Sequence, residues 1–186
     1  MHDIEPFHNW RDLYIASEDE RSPFYGRMYD EFKYTKKIYN YFIHPQWDEI
    51  GSPTLYIKIL YVDYDIGFGI IELIGEWNDC LNNDIMYLKR EIVDNLINQG
   101  VVKFMLLCDH VLNFHADDDC YYEEWWDDIK DDNGWIYFIN TREHVRAEMN
   151  LVQIKNYVTM MDELVDVNWR KQNPLYLFSY LDNHAA

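Results

Sequence analysis

The chain has 186 residues, 48% of them hydrophobic and 17% aromatic, which suits one domain with a proper core and argues against disorder. Its formal charge of -18 and isoelectric point near 4.5 disfavour binding to nucleic acid or to an anionic membrane through a broad basic face; the bases Arg27, Lys33, Lys36 and Lys37 are too sparse to reverse that. The three cysteines, Cys80, Cys108 and Cys120, lack CxxC spacing, so neither a disulfide framework nor a zinc knuckle is expected, and the reducing cytoplasm is the expected compartment.

The opening MHDIEPFHNWRDLYIASEDERSP has no basic n-region or apolar h-region and does not read as a secretory signal. No apolar run approaches the ~20 residues that a membrane-spanning helix needs. Ser22-Pro23 marks a break; Met28, Tyr29 and Phe32 could share one helical stripe, and IYNYFIH (38–44) reads as a strand ended by Pro45. Residues 1–50 are thus an N-terminal extension that adds a strand or a helix.

TLYIKILYVDY (54–64) alternates Tyr56 and Lys58 against Leu55, Ile57 and Ile59, the pattern of a strand with one wetter face. Asp65-Ile66-Gly67 turns it into GFGIIELIG (67–75), which makes a hairpin. The spacing of Leu81, Ile85, Leu88, Ile92 and Leu96 predicts a helix over 83–99, capped by Asn82 or Asn83 and closed by Gly100, with Lys89 and Arg90 on its outer side. VVKFMLL (101–107) reads as a strand buried on both faces, and strand, helix and strand in this order make a crossover unit.

Nine acidic residues fall between Asp117 and Asp132 against the single base Lys130, so nearly half of the net charge sits in sixteen residues. Tyr122, Trp125, Trp126 and Ile129 recur at helical spacing there and predict a helix near 120–130, started by Asp117, Asp118 or Asp119. The carboxylates Asp127, Asp128, Asp131 and Asp132 lie at the end where they oppose the helix dipole, so aromatic packing must hold the helix. Asn133-Gly134 is a turn and WIYFI (135–139) another buried strand. Asn140 with Glu143 suggests a capping box for a helix from about 141 to 149. Leu151, Ile154, Tyr157, Val158, Met161, Leu164 and Val165 suggest one more helix, limited by Pro174, so 151–186 is a helical extension. No internal repeat or linker divides the chain. The expected fold is α/β, a single domain over 1–186 with a mixed β-sheet, an N-terminal hairpin, crossover helices and an extra C-terminal helix.

The order of these elements over residues 54–150 resembles the STAS and SpoIIAA-like domains. That resemblance implies a small α/β module acting by protein contact, often as an antagonist in partner switching. The regulatory form of the family carries a phosphorylatable Ser or Thr at the start of the helix after the central strand. Here that place reads HADDDCYY, so a phosphorylation switch is not implied and only an interaction module remains.

No GxSxG, GxxxxGK[ST] or GxGxxG motif is present. Cys108 and Cys120 stand among carboxylates, which disfavours an activated thiolate. Two functional readings follow. The first is a non-enzymatic regulatory or protein-interaction module without a cofactor, meeting a basic protein surface through Tyr121, Tyr122, Glu123, Glu124, Trp125, Asp127 and Asp128, with the aromatic stripe buried either in the chain or in a homodimer. The alternative is a metal-dependent hydrolase holding a divalent ion through Asp109, His110, His115, Asp117 and Asp119 in the loop after strand 101–107. Convergence of those five side chains discriminates the two.

Overall fold

The computed structural model describes residues 4–161 and 168–185. A two-stranded ribbon, β1 (Lys37–Ile38) and β2 (Tyr41–Phe42), precedes a six-stranded sheet made of β3 (Asp48–Glu49), β4 (Leu55–Asp63), β5 (Phe68–Asn78), β6 (Lys103–His115), β7 (Trp135–Ile139) and β8 (Thr159–Met161). The six pair in sequence order, antiparallel from β3 to β5 and parallel from β5 to β8. The sheet is mixed and helices make each parallel connection, as the hairpin and crossover pattern requires. Between β5 and β6 run α1 (Asp79–Asn82), α2 (Asp84–Tyr87), a π-helical turn (Leu88–Val93) and α3 (Asp94–Ile97); α4 (Cys120–Ile129) links β6 to β7, α5 (Glu143–Leu151) links β7 to β8, and α6 (Pro174–Ala185) ends the described chain.

Side-chain alternation along the strands sends apolar groups to both faces of the sheet. Ile71, Leu73, Phe104, Leu106, Ile136 and Phe138 join Ile85, Leu88, Trp125 and Met149 of the connecting helices in the larger core. Phe68, Ile70, Met105, Leu107 and Tyr137 form a second core with Trp10, Trp169, Leu177 and Leu181. One face is therefore covered by crossover helices and the other by the two ends of the chain. The Asp63 carboxylate sets the β4–β5 turn by accepting from the N–H groups of Asp65 and Ile66 at 3.0 and 3.3 Å. Gly75, at φ +119°, lies so close to β4 that a methyl group on it would collide with the Thr54 carbonyl oxygen.

Several expectations change. Met28 and Phe32 lie in irregular chain and are 96% and 89% exposed, so no helical stripe forms. The run 38–44 is cut by a turn, with Tyr39 at φ +53°. The helical connection starts earlier than expected, capped by the Asn78 side chain on the N–H of Leu81, and Asn83 then breaks it in the left-handed conformation. Leu81 is consequently 82% exposed, while Lys89 is fully buried. Strand β6 runs to His115 rather than stopping at 107, because residues added opposite the Glu72–Ile74 and Gly75–Glu76 steps of β5 form bulges that absorb its polar stretch. No side chain caps α5. The helix expected from 151 onward gives way to a short 3-10 turn (Gln153–Asn156) and β8; Leu164 and Val165 lie outside the described residues. Pro174 starts α6 rather than limiting a helix, since its missing N–H costs nothing in a first turn.

Candidate functional site

Helix α4 forms where expected, with the Asp118 carboxylate accepting from the N–H of Cys120 at 3.1 Å. Tyr122, Trp125 and Ile129 point into the larger core; the Tyr122 hydroxyl donates to Asp79 Oδ2 at 2.7 Å and Trp125 meets Phe104 edge-on at 5.1 Å. Tyr122 and Trp125 are thus structural within this chain, not surface anchors for a partner, and the stripe they belong to is not a dimer contact. Tyr121 and Trp126 are half-buried, and Arg90 stands over the Tyr121 ring.

Two carboxylates expected to meet a partner are engaged inside the chain. Glu124 receives both guanidinium nitrogens of Arg90, Nη2 at 2.8 Å, and Asp128 receives Lys89 Nζ at 2.8 Å. Lys89 also bonds Asp94, which takes Arg90 at 3.0 Å. Burial alone would lower the Lys89 pKa, but hydrogen bonds to Asp128 and Asp94 outweigh it and hold the amine above its ordinary range. Asp94, Glu124 and Asp128 are the one set of ligand-type groups that gathers among the described residues, and the Lys89 ammonium already stands within it. The spacing contained the signal for Lys89, which falls four residues after Ile85 and four before Val93, on the apolar stripe.

What remains outward on this helix and its 3-10 extension is Glu123, Asp127, Asp131 and Asp132, all exposed. Asp127 pairs with Lys130; the other three make no ion pair among the described residues. Asp117 and Asp118 add exposed charge at the other end.

The five residues of the metal reading do not converge. Asp109, His110 and His115 lie on β6 itself, not in a loop beyond it. His115 Nε2 sits 2.9 Å from Glu76, which also accepts from the Tyr39 hydroxyl. Asp109 takes Arg170 at 2.9 Å and the Asn140 amide at 3.3 Å, whereas Asp117 and Asp119 precede α4. His110 Nε2 lies 3.8 Å from Glu72 Oε1, and burial lowers its pKa.

Glu72 is the central group of the second face and was missed in the sequence, although one Glu inside the apolar run GIIELIG is a sign of a buried carboxylate. Its Oε2 accepts from the Phe7 N–H at 2.8 Å, and Arg170 lies 3.7 Å from Oε1. Burial pushes it up to about 7, opposed by the Phe7 N–H and Arg170. Glu72, Asp109, His110 and Arg170 together fasten both chain ends to the sheet.

No protein-family model matches the chain, and no curated protein matches it. It is similar to solved structures of an anti-sigma factor antagonist candidate from Thermotoga maritima (17% identity, 60% of this chain and 88% of that one, TM-score 0.43) and of the Bacillus cell fate determinant SpoIIAA in its phosphorylated form (10% identity, 60% and 96%, TM-score 0.40). An NMR structure of the Thermotoga protein gives 18% identity, 60% and 86% coverage and a TM-score of 0.36. Among the described residues, no helix is long and apolar enough to cross a membrane.

Proposed function

We propose that the chain is a non-enzymatic, regulatory protein-interaction module of the cytoplasm, and that Glu123, Asp127, Asp131 and Asp132 dock a basic surface of another protein. The carrying observation is where these carboxylates stand. Three of the four lie at the C-terminal end of α4 or just beyond it, where each opposes the helix dipole by up to about 1 kcal/mol, with Lys130 the base that pairs among them. An arrangement that costs stability and presents concentrated charge to solvent is what a steering surface requires. The free thiols Cys80, Cys108 and Cys120 are in keeping with a reducing compartment.

The test is the triple variant Glu123→Lys, Asp127→Lys, Asp131→Lys in affinity capture at low and high salt. The expected result is a folded protein that has lost the salt-sensitive partner held by the native chain. Retention of the same partner by the variant overturns the reading.

A further inference from the structure

The N-terminal segment does more than cover the sheet. Between residues 6–17, the chain at Tyr29–Glu31 and Gln46, and the middle of β4, it encloses a cavity of about 180 Å³. Phe7, Trp10, Tyr14 and Tyr29 contribute aromatic wall, and Lys58 and Arg11 bring positive charge to the same space. A second hollow shares Arg11, Glu31 and Gln46 with the first, so the space continues outward past Arg11.

Two cations converging on one cavity stand out in a chain of charge -18. Lys58 rises from β4 with Nζ 2.9 Å from the Gln46 carbonyl and 3.0 Å from Asp48 Oδ2, and 3.6 Å from the centre of the Tyr29 ring. Asp48 is fully buried and also takes Arg27 at 2.9 Å and the Tyr29 hydroxyl at 2.8 Å. One carboxylate thus faces two cations, Lys58 at this cavity and Arg27, which lines a neighbouring hollow. The Arg11 side chain makes no ion pair or hydrogen bond among the described residues. Burial lowers the Lys58 pKa and Arg11 and Lys36 push the same way against Asp48, a repulsion that an incoming anion would relieve.

We propose that this cavity binds a small planar organic monoanion of the aromatic carboxylate class, with its carboxylate between Lys58 and Arg11 and its ring against Trp10, Tyr14 and Tyr29. The volume fits, since a cavity of about 150 Å³ takes a benzene ring. Aromatic walls favour a ring by edge and face contacts, and a paired ammonium and guanidinium favour a carboxylate at one end. The Glu31 carboxylate in the lining disfavours a more highly charged anion such as phosphate.

The full chain is titrated with benzoate, benzamide and inorganic phosphate, following the tryptophan fluorescence to which Trp10 contributes and the melting temperature. Saturable binding of benzoate alone is expected, weakened about tenfold or more by Arg11→Gln, a change at an exposed side chain that leaves the fold intact. Lys58→Met is expected to abolish binding; because it leaves Asp48 with one cation fewer, Arg11→Gln is the deciding variant. No saturation with benzoate, equal binding of benzamide or phosphate, or an Arg11→Gln variant that binds as the native chain does would each overturn the proposal.

Discussion

The two faces of the sheet are buried by different chemistry. On the helix-covered face a large apolar core borders two buried carboxylates, Asp79 and Asp84, that accept from the start of the helical connection and from Tyr122, and the ionic network of Lys89, Arg90, Asp94, Glu124 and Asp128 is displaced to where α4 meets the π-helical turn. The other face holds buried Glu72, Glu76, Asp48 and His44 beneath irregular chain. The reason lies in the backbone. A helix satisfies its own N–H and C=O groups, so it can lie dry on a sheet, whereas residues 4–36 bring main-chain polar groups that need partners when covered. Glu72 accepts from the Phe7 N–H, Lys36 donates to the Pro45 and Trp47 carbonyls, Lys58 to that of Gln46, Trp47 to that of Ile4 and Trp10 to that of Gln172. Buried polar groups on this face serve the loops that cover it.

The difference can be broken at graded cost. Gly75→Ala strains the backbone between β4 and β5 and should cost about 4 kcal/mol or more, read as failure to fold or a collapse of the urea midpoint. On the helix face, Trp125→Ala leaves a void beside Phe104 and should cost about 3–4 kcal/mol with little dependence on pH.

The charged face should answer to pH instead. Glu72 has a folded-state pKa of about 7 against an ordinary 4.5, so its protonated form favours the folded chain. That contribution is full below about pH 4.5 and is lost as pH rises through about 7, a change on the order of 3 kcal/mol. Glu72→Gln should flatten this part of the stability profile in urea titrations at pH 5 and 8. Asp79, also pushed up to about 7 by burial despite donors from Tyr122, Ile85 and Trp77, should keep part of the slope in that variant. An unchanged profile would mean that Glu72 is charged throughout.

Lys89→Met should cost about 1–3 kcal/mol, less than a fully buried pair because Asp94, Glu124 and Asp128 reach solvent, and Asp128→Asn in the same chain should restore part of it. The smallest effect is a gain: each of Asp131→Lys and Asp132→Lys should add about 0.3–1 kcal/mol by relieving the helix dipole, measured by thermal unfolding at low salt.

The helix-covered half was legible because its periodicities are clean: 55–63, 103–107 and 135–139 as strands, and Tyr122, Trp125 and Ile129 as one inward stripe. The other half was hidden for a physical reason. Asp109, His110 and His115 read as loop because their polarity is matched only by distant residues, Arg170, Glu72 and Glu76, and such pairing leaves no local spacing to detect. Segments that pack as irregular chain, with main-chain groups bonded to distant side chains, as residues 4–36 do, have no period to find.

The helical connection between β5 and β6 carries, in its stretch Leu88–Val93, one residue more than regular winding needs, marked by the Asp94 N–H reaching the Lys89 carbonyl five residues back. In an ordinary α-helix those two residues would stand about 140° apart around the axis. The meeting of Lys89 with Asp94 therefore depends on the wider winding, and excising one residue between them should leave the pair together, four apart on one face of an ordinary helix. Winding, at this point in the chain, decides whether the ammonium has two acidic neighbours or three.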